Sequence, residues 1–219
     1  MKEIQIKTRL VEYLLQIDSK LSLGAEVPFQ FGSRRADIIS LSGDIATAFE
    51  IKGAEDTVMR LDYQINSYKN YFDYCFVVCE DSNLNQVRKA IGKEIGIIVI
   101  TEKSVKEIRK SARFKRLNKI SLASTLAISD LRKIIKDNRI RAKHDLCEKL
   151  ANNYSLNEIK KISRESLLYR YKKVSELLKI DKGEKLNPDD ILIITRMPPE
   201  PLFTKSKINS CMDIINHTN

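Results

Sequence analysis

The 219-residue chain has no run of about 18 apolar residues, so no helix in it is expected to span a membrane. Its first residues, Met1-Lys2-Glu3-Ile4-Gln5-Ile6-Lys7, alternate charged and apolar side chains and lack the apolar stretch of a signal peptide. The cysteines are few and scattered: Cys75, Cys79, Cys147 and Cys211 show no metal-finger spacing. Cys75 and Cys79 share one face of an apolar segment, as buried thiols do. Together these features lead to the expectation of an intracellular, reduced, cytoplasmic protein with no membrane partner. His144 and His217 lie far apart in sequence, so histidine catalysis is not indicated. No Walker loop, dinucleotide glycine pattern or nucleophile elbow occurs. Internal repeats and low-complexity tracts are also lacking.

Positive charge is abundant but unevenly placed. The net charge is +10. Residues 1–100 hold 12 Lys+Arg and 14 Asp+Glu, which leaves 27 and 15 for residues 101–219, a net +12 for the second part. A near-neutral first half and a basic second half suggest chemistry followed by contact with a polyanion. Basic helices that only keep the protein soluble explain the charge equally well.

Apolar periodicity predicts a helix over 2–17, an extended segment over 25–31, and two strands joined at Gly43-Asp44, a two-residue hairpin signal. A helix over 55–72, a buried strand over 74–79, a helix over 83–94 and a buried strand over 96–100 follow. This order predicts an α/β sandwich over residues 1–103 with helices on the faces of a sheet. Residues 103–116, 128–151 and 155–180 are basic with helical period, and Ser155 with Glu158 forms a capping box. They define an expected all-helical basic domain over 104–182. Residues 183–219 contain Pro188, Pro198, Pro199 and Pro201, and read as a loop-rich tail with a short strand at 191–194.

The hairpin holds the chemistry. With Gly43 and Asp44 as its loop, Ser42 faces Ile45 and paired residue numbers sum to 87, so Asp37 lies opposite Glu50. Opposed side chains share a face with Cβ atoms roughly 4.5–5.5 Å apart. Two carboxylates that close repel, and a divalent cation such as Mg²⁺ removes the penalty. Ala46, Ala48, Glu50 and Lys52 alternate onto that same face. A lysine there can orient an attacking water and offset charge growing on a phosphate. The Glu-x-Lys triplet alone is weak: it recurs at Glu158-Ile159-Lys160, in a helical stretch without a partner aspartate. The register with Asp37 gives it meaning.

Asp37 with Glu50-Ile51-Lys52 resembles the motif of the PD-(D/E)xK nuclease superfamily, whose core is a helix, three strands, a helix and a strand. The likeness covers residues 1 to about 100 and departs at Ala36, where the motif often has proline. Gln64-Ile65-Asn66-Ser67-Tyr68 is similar to the Gln-x-x-x-Tyr motif of RecB-like members, and its end residues are one helical turn apart. The resemblance implies a metal-dependent nuclease in which Asp37, Glu50 and the Ile51 carbonyl hold Mg²⁺ or Mn²⁺. It further implies that Lys52 positions water, and that Gln64 and Tyr68 frame a nucleic acid, DNA in preference to RNA. Members often add an acidic residue from the first helix or strand; Glu26 is preferred for that role over Glu12. Arg34, Arg35 and Arg60 are candidates for phosphate contact. Arg34 and Arg35 read equally well as a charged strand end, and Asp56 with Arg60 as a helix ion pair.

Residues 156–165 resemble a helix-turn-helix, but no glycine marks the turn. Lys160, Lys161, Arg164, Arg170, Lys172 and Lys173 offer non-specific phosphate attraction or a solvated face. Tyr169 and Tyr171 could stack on bases, although they more often complete a helical core. Two alternatives to the nuclease stand beside it: a catalytically silent member that binds DNA or protein, and a DNA-binding regulator built on the basic helices. Cutting both strands of a duplex would suggest a homodimer.

Overall fold

The computed structural model describes residues 1–195. Pro198, Pro199, Pro201, Cys211 and His217 lie outside the described residues. Helix α1 spans Glu3–Ile17. Strands β1 (Ser22–Phe29), β2 (Arg34–Ser42) and β3 (Ile45–Lys52) form an antiparallel meander. Helix α2 (Leu61–Tyr68) crosses to β4 (Tyr74–Glu80), and α3 (Leu84–Ala90) crosses to β5 (Gly96–Ile100). Both β4 and β5 run parallel to their predecessors, as helical crossovers require. A sixth strand, β6 (Val105–Arg109), returns antiparallel to β5. The result is an α/β fold around one mixed sheet in the order β1-β2-β3-β4-β5-β6.

The turn between β2 and β3 closes over Gly43-Asp44, with Gly43 at φ +56°, a conformation open to glycine. Ser42 faces Ile45 and Ile38 faces Phe49, so the pairing sum of 87 holds along the ladder.

Both faces of the sheet are covered. On one, Ala46, Ala48, Cys75 and Val77 meet Ile65 of α2 and Val87 of α3. On the other, Ile38, Phe49, Ile51 and Val78 meet Ile6, Leu10 and Val11 of α1. A third cluster unites the remaining short helices α4 (Lys119–Ser124), α5 (Ile128–Ile135) and α6 (Lys143–Asn153) around Leu131, Leu146 and Leu150.

Helix α7 (Leu156–Asp181) touches all three clusters, through Ile159, then Leu167, Tyr171 and Val174, then Leu178. Its start is fixed by the expected capping box: Ser155 Oγ accepts from Glu158 N at 3.3 Å, and Glu158 Oε2 from Ser155 N at 2.7 Å. A last short helix, α8 (Ile191–Thr195), adds Ile191 and Ile194 to the α1 side.

Several elements differ from expectation. Residues 103–116 contain β6 and no helix: the apolar edge of β5 takes a neighbour, and the charged Lys106, Glu107 and Arg109 suit an outer strand. The sheet therefore continues past residue 103, and the basic half is not all helical. Residues 128–151 break into α5 and α6, because Lys136 adopts φ +53° and ends the first helix. Residues 191–194 are helical, started by Asn187 capping the turn at Pro188. The helices expected over 55–72 and 83–94 shorten to α2 and α3. Among the described residues no helix is long and apolar enough to cross a membrane.

Candidate functional site

The site gathers where β1, β2 and β3 leave the packed centre of the sheet. Asp37 and Glu50 each lie one residue beyond Ile38–Phe49, the pair at which the β2–β3 ladder ends. Glu26 lies across β1 from Asp37, between the pairs Ala25–Ile38 and Val27–Ala36. One row thus carries Glu26, Asp37 and Glu50 across three adjacent strands. Glu26 adopts φ +51°, strained for a residue with a side chain, and drops out of the ladder at that position.

Glu50 is 3% exposed, and its two carboxylate oxygens face different donors. Lys52 Nζ lies 3.0 Å from Oε1, and the Tyr68 hydroxyl donates to Oε2 at 2.5 Å. Lys52 also donates to Gln64 Oε1 at 3.1 Å. Gln64 and Tyr68 of α2 therefore reach the hairpin directly and join Glu50 and Lys52 in one network. Burial first, and then the neighbouring Glu50 charge, hold the Tyr68 hydroxyl well above its ordinary pKa, so it remains a donor.

Asp37 Oδ2 accepts the Ile51 N–H at 2.7 Å. Burial and the facing Glu50 push the Asp37 carboxyl up to about 7, against the opposing pull of the Ile51 N–H and Lys7. The carboxyl groups of Glu3, Glu26 and Asp37 each bring an oxygen into one cluster within 4.8 Å, which makes them a group able to hold a metal ion. Glu12 is not part of it.

Lys7 of α1 was not singled out from sequence. It is 7% exposed and pairs with Glu3 at 2.6 Å and with Glu26. Burial opposes its charge, but the Glu26 and Glu3 hydrogen bonds and the Asp37 field outweigh that and raise its pKa. The only sequence signal was Glu3 and Lys7 four apart, which reads as an ordinary surface helix pair.

Beside this network lies a cleft of about 330 Å³ lined by Arg34, Arg35, Arg60, Tyr63, Gln64 and Ser67. Arg34 spans it: its guanidinium sits 4.1 Å over the Tyr63 ring and donates to Ser67 Oγ at 3.2 Å. The three arginines named from sequence thus border one cavity next to Gln64. The expected Asp56–Arg60 helix pair is replaced by a turn, in which Asp56 Oδ2 accepts the Gly53 N–H at 2.7 Å.

Farther along the chain the basic residues separate by role. Arg164 and Tyr171 are core residues at 1% and 2% exposure, while Lys161, Lys172 and Lys173 are exposed. The Glu158-Ile159-Lys160 triplet falls on helix α7 and not on a strand.

The acceptors fit a hard divalent cation, since carboxylate and carbonyl oxygens suit Mg²⁺ or Mn²⁺. The carboxylate cluster around Asp37 contains Glu3 and Glu26 and not Glu50, whose oxygens meet Lys52 and Tyr68 instead.

The chain is thus an α/β protein with a covered mixed sheet and a row of acidic residues across β1–β3. Residues 1–195 match the family of bacteriophage P4 protein cII, and the chain belongs to that family. Protein cII of Enterobacteria phage P4 is 26% identical over 208 residues, which cover 90% of this chain and 78% of that protein. Among solved structures, the SPO1766 protein of unknown function from Silicibacter pomeroyi aligns with a TM-score of 0.42 and 13% identity, over 74% of this chain and 92% of that one.

Proposed function

We propose that the protein is a metal-dependent nuclease that hydrolyses phosphodiester bonds, with DNA as the favoured substrate. The observation that supports this most is the pair Asp37 and Glu50: two carboxyls just past the end of the β2–β3 ladder, where burial first and then the Glu50 charge raise Asp37 to about 7. A fold keeps such a pair at a cost in stability, and binding a cation is the function that offsets it.

On this reading Asp37, Glu50 and the Ile51 carbonyl would hold Mg²⁺ or Mn²⁺, with Glu26 as a further acidic group nearby. The metal would supply Lewis-acid polarisation of the phosphate and a more acidic water. Lys52, fixed between Glu50 and Gln64, orients the water and offsets negative charge as the bond to phosphorus forms. Tyr68 holds Glu50 in place. Arg34, Arg35 and Arg60 bind phosphates flanking the scissile one, and Tyr63, 68% exposed, offers a ring face for a base. A cytoplasmic location belongs to the same proposal, as does a homodimer where both strands are cut.

One observation favours a second reading, a silent DNA- or protein-binding member: both Glu50 oxygens are already engaged by Lys52 and Tyr68. Metal separates the two readings. An active protein gains thermal stability with Mg²⁺, whereas a silent one does not. The direct test compares wild type with Lys52→Ala on single- and double-stranded DNA in Mg²⁺, Mn²⁺ or EDTA, after checking equal folding. Cleavage that needs metal and Lys52 supports the nuclease. Equal binding by both proteins without cleavage on any substrate refutes it.

A further inference from the structure

A second cleft, of about 520 Å³, opens at the other end of the β2–β3 hairpin, between Gly43, Asp44 and the first turns of α7. Gly43 lies six residue steps along the strand from Asp37, so about 20 Å lies between this cleft and the carboxylate row. Four cations line it: Arg113, Lys160, Lys161 and Arg164. Beneath them Asp73 is buried, with Lys160 Nζ at 2.7 Å, Arg164 Nη2 at 3.1 Å and Arg113 Nη2 at 3.7 Å. Lys160 also lies 3.3 Å from Asp44, and Glu165 lines the opening.

Arg164 is the informative residue. Its side chain is 1% exposed, and Nη2 donates to the Tyr71 carbonyl at 2.6 Å and to Asp73. Its Nε and Nη1 make no hydrogen bond to the protein. Buried donors left unpaired on a charged group are costly to stability. A guanidinium is shaped to give such donors to the oxygens of a phosphate.

We infer that this cleft is a phosphate-binding site, distinct from the carboxylate row, in which Arg164 supplies buried donors and Arg113 and Lys161 close on the anion from the rim. Its volume exceeds a single phosphate and accommodates a diphosphate or a short run of nucleic-acid backbone. The inference does not depend on the nuclease reading. It gives the basic half of the chain a defined contact in place of a diffuse charge.

The probe is inorganic pyrophosphate, titrated calorimetrically into the full chain in EDTA. Truncating Arg164 would strand buried Asp73, so the rim carries the test. The double variant Arg113→Ala/Lys161→Ala is expected to bind at least about ten-fold more weakly, equivalent to losing one charge-assisted hydrogen bond. Lys89→Ala/Lys93→Ala, two exposed lysines that line neither cleft, is expected to bind as wild type does. A short single-stranded oligonucleotide then identifies the source of the phosphate: competition points to a nucleic-acid backbone, and its absence to a free phosphate compound. No binding by wild type, or equal binding by the Arg113/Lys161 double variant, overturns the inference.

Discussion

Replacing Asp37 with asparagine is expected to stabilise the metal-free protein fully at pH 8 and by only roughly a third as much at pH 5. The Asp37 carboxyl is pushed up to about 7 in the folded chain, by burial and by Glu50, against about 3.9 when unfolded. Between those values the folded state holds a proton that the unfolded state has lost, so stability falls as pH rises through this window. At about 1.4 kcal/mol per pH unit the full cost is about 4 kcal/mol. Partial access to solvent brings a realistic figure to about 2–4 kcal/mol. Asparagine is neutral at all pH and can still accept the Ile51 N–H. The assay is urea unfolding in EDTA at pH 5 and pH 8, supported by melting curves in which the variant gains about 5–10 °C at the higher pH. Mg²⁺ should reverse the order at pH 8, since wild type gains binding energy there and the variant does not. An Asp37→Asn protein destabilised equally at both pH values would refute the claim that this carboxyl is held under electrostatic pressure.

Three further perturbations follow from the packing. Asp73→Asn removes the charge that answers Arg164 and Lys160 in the interior, and should cost about 3–5 kcal/mol by urea unfolding; a loss under 1 kcal/mol would mean the two cations find other partners. Tyr68→Phe deletes the donor to Glu50 Oε2 and should cost about 1–2 kcal/mol, with Mg²⁺-dependent cleavage reduced more than DNA binding. Gly24→Ala would put a Cβ 2.6 Å from the Tyr171 ring, and should lower stability by about 1–3 kcal/mol as α7 shifts off β1. An unchanged melting temperature would show that contact to be loose.

The hairpin was legible because three local signals agreed: a Gly-Asp turn, alternation on both strands, and charges placed symmetrically about the turn. A pairing sum read from the turn matches the ladder from Ser42–Ile45 to Ile38–Phe49, one residue short of Asp37 and Glu50. The Gln64–Tyr68 spacing was legible for a similar reason, since one helical turn separates them. Lys7 was not, because its partners come from β1 and β2, and only the crossing of α1 over the sheet brings them together. Arg164 and Asp73 escaped for the same reason: periodicity marks apolar faces and is blind to a charged side chain buried with a partner 91 positions away. Strand β6 is not legible in the sequence because Lys106, Glu107 and Arg109 look like a polar helix face until β5 needs a neighbour.

The reach of α7 has a consequence for how the chain is made. Strand β1 emerges from the ribosome early, yet Leu23 N donates to Ser175 Oγ, 152 residues later, and Gly24 is covered by Tyr171. All six strands can be synthesised and paired while that side of β1 still faces water. The nascent sheet therefore waits, half-clad, for a helix translated after it, and a ribosome stalled near residue 150 would present a sticky apolar surface to chaperones.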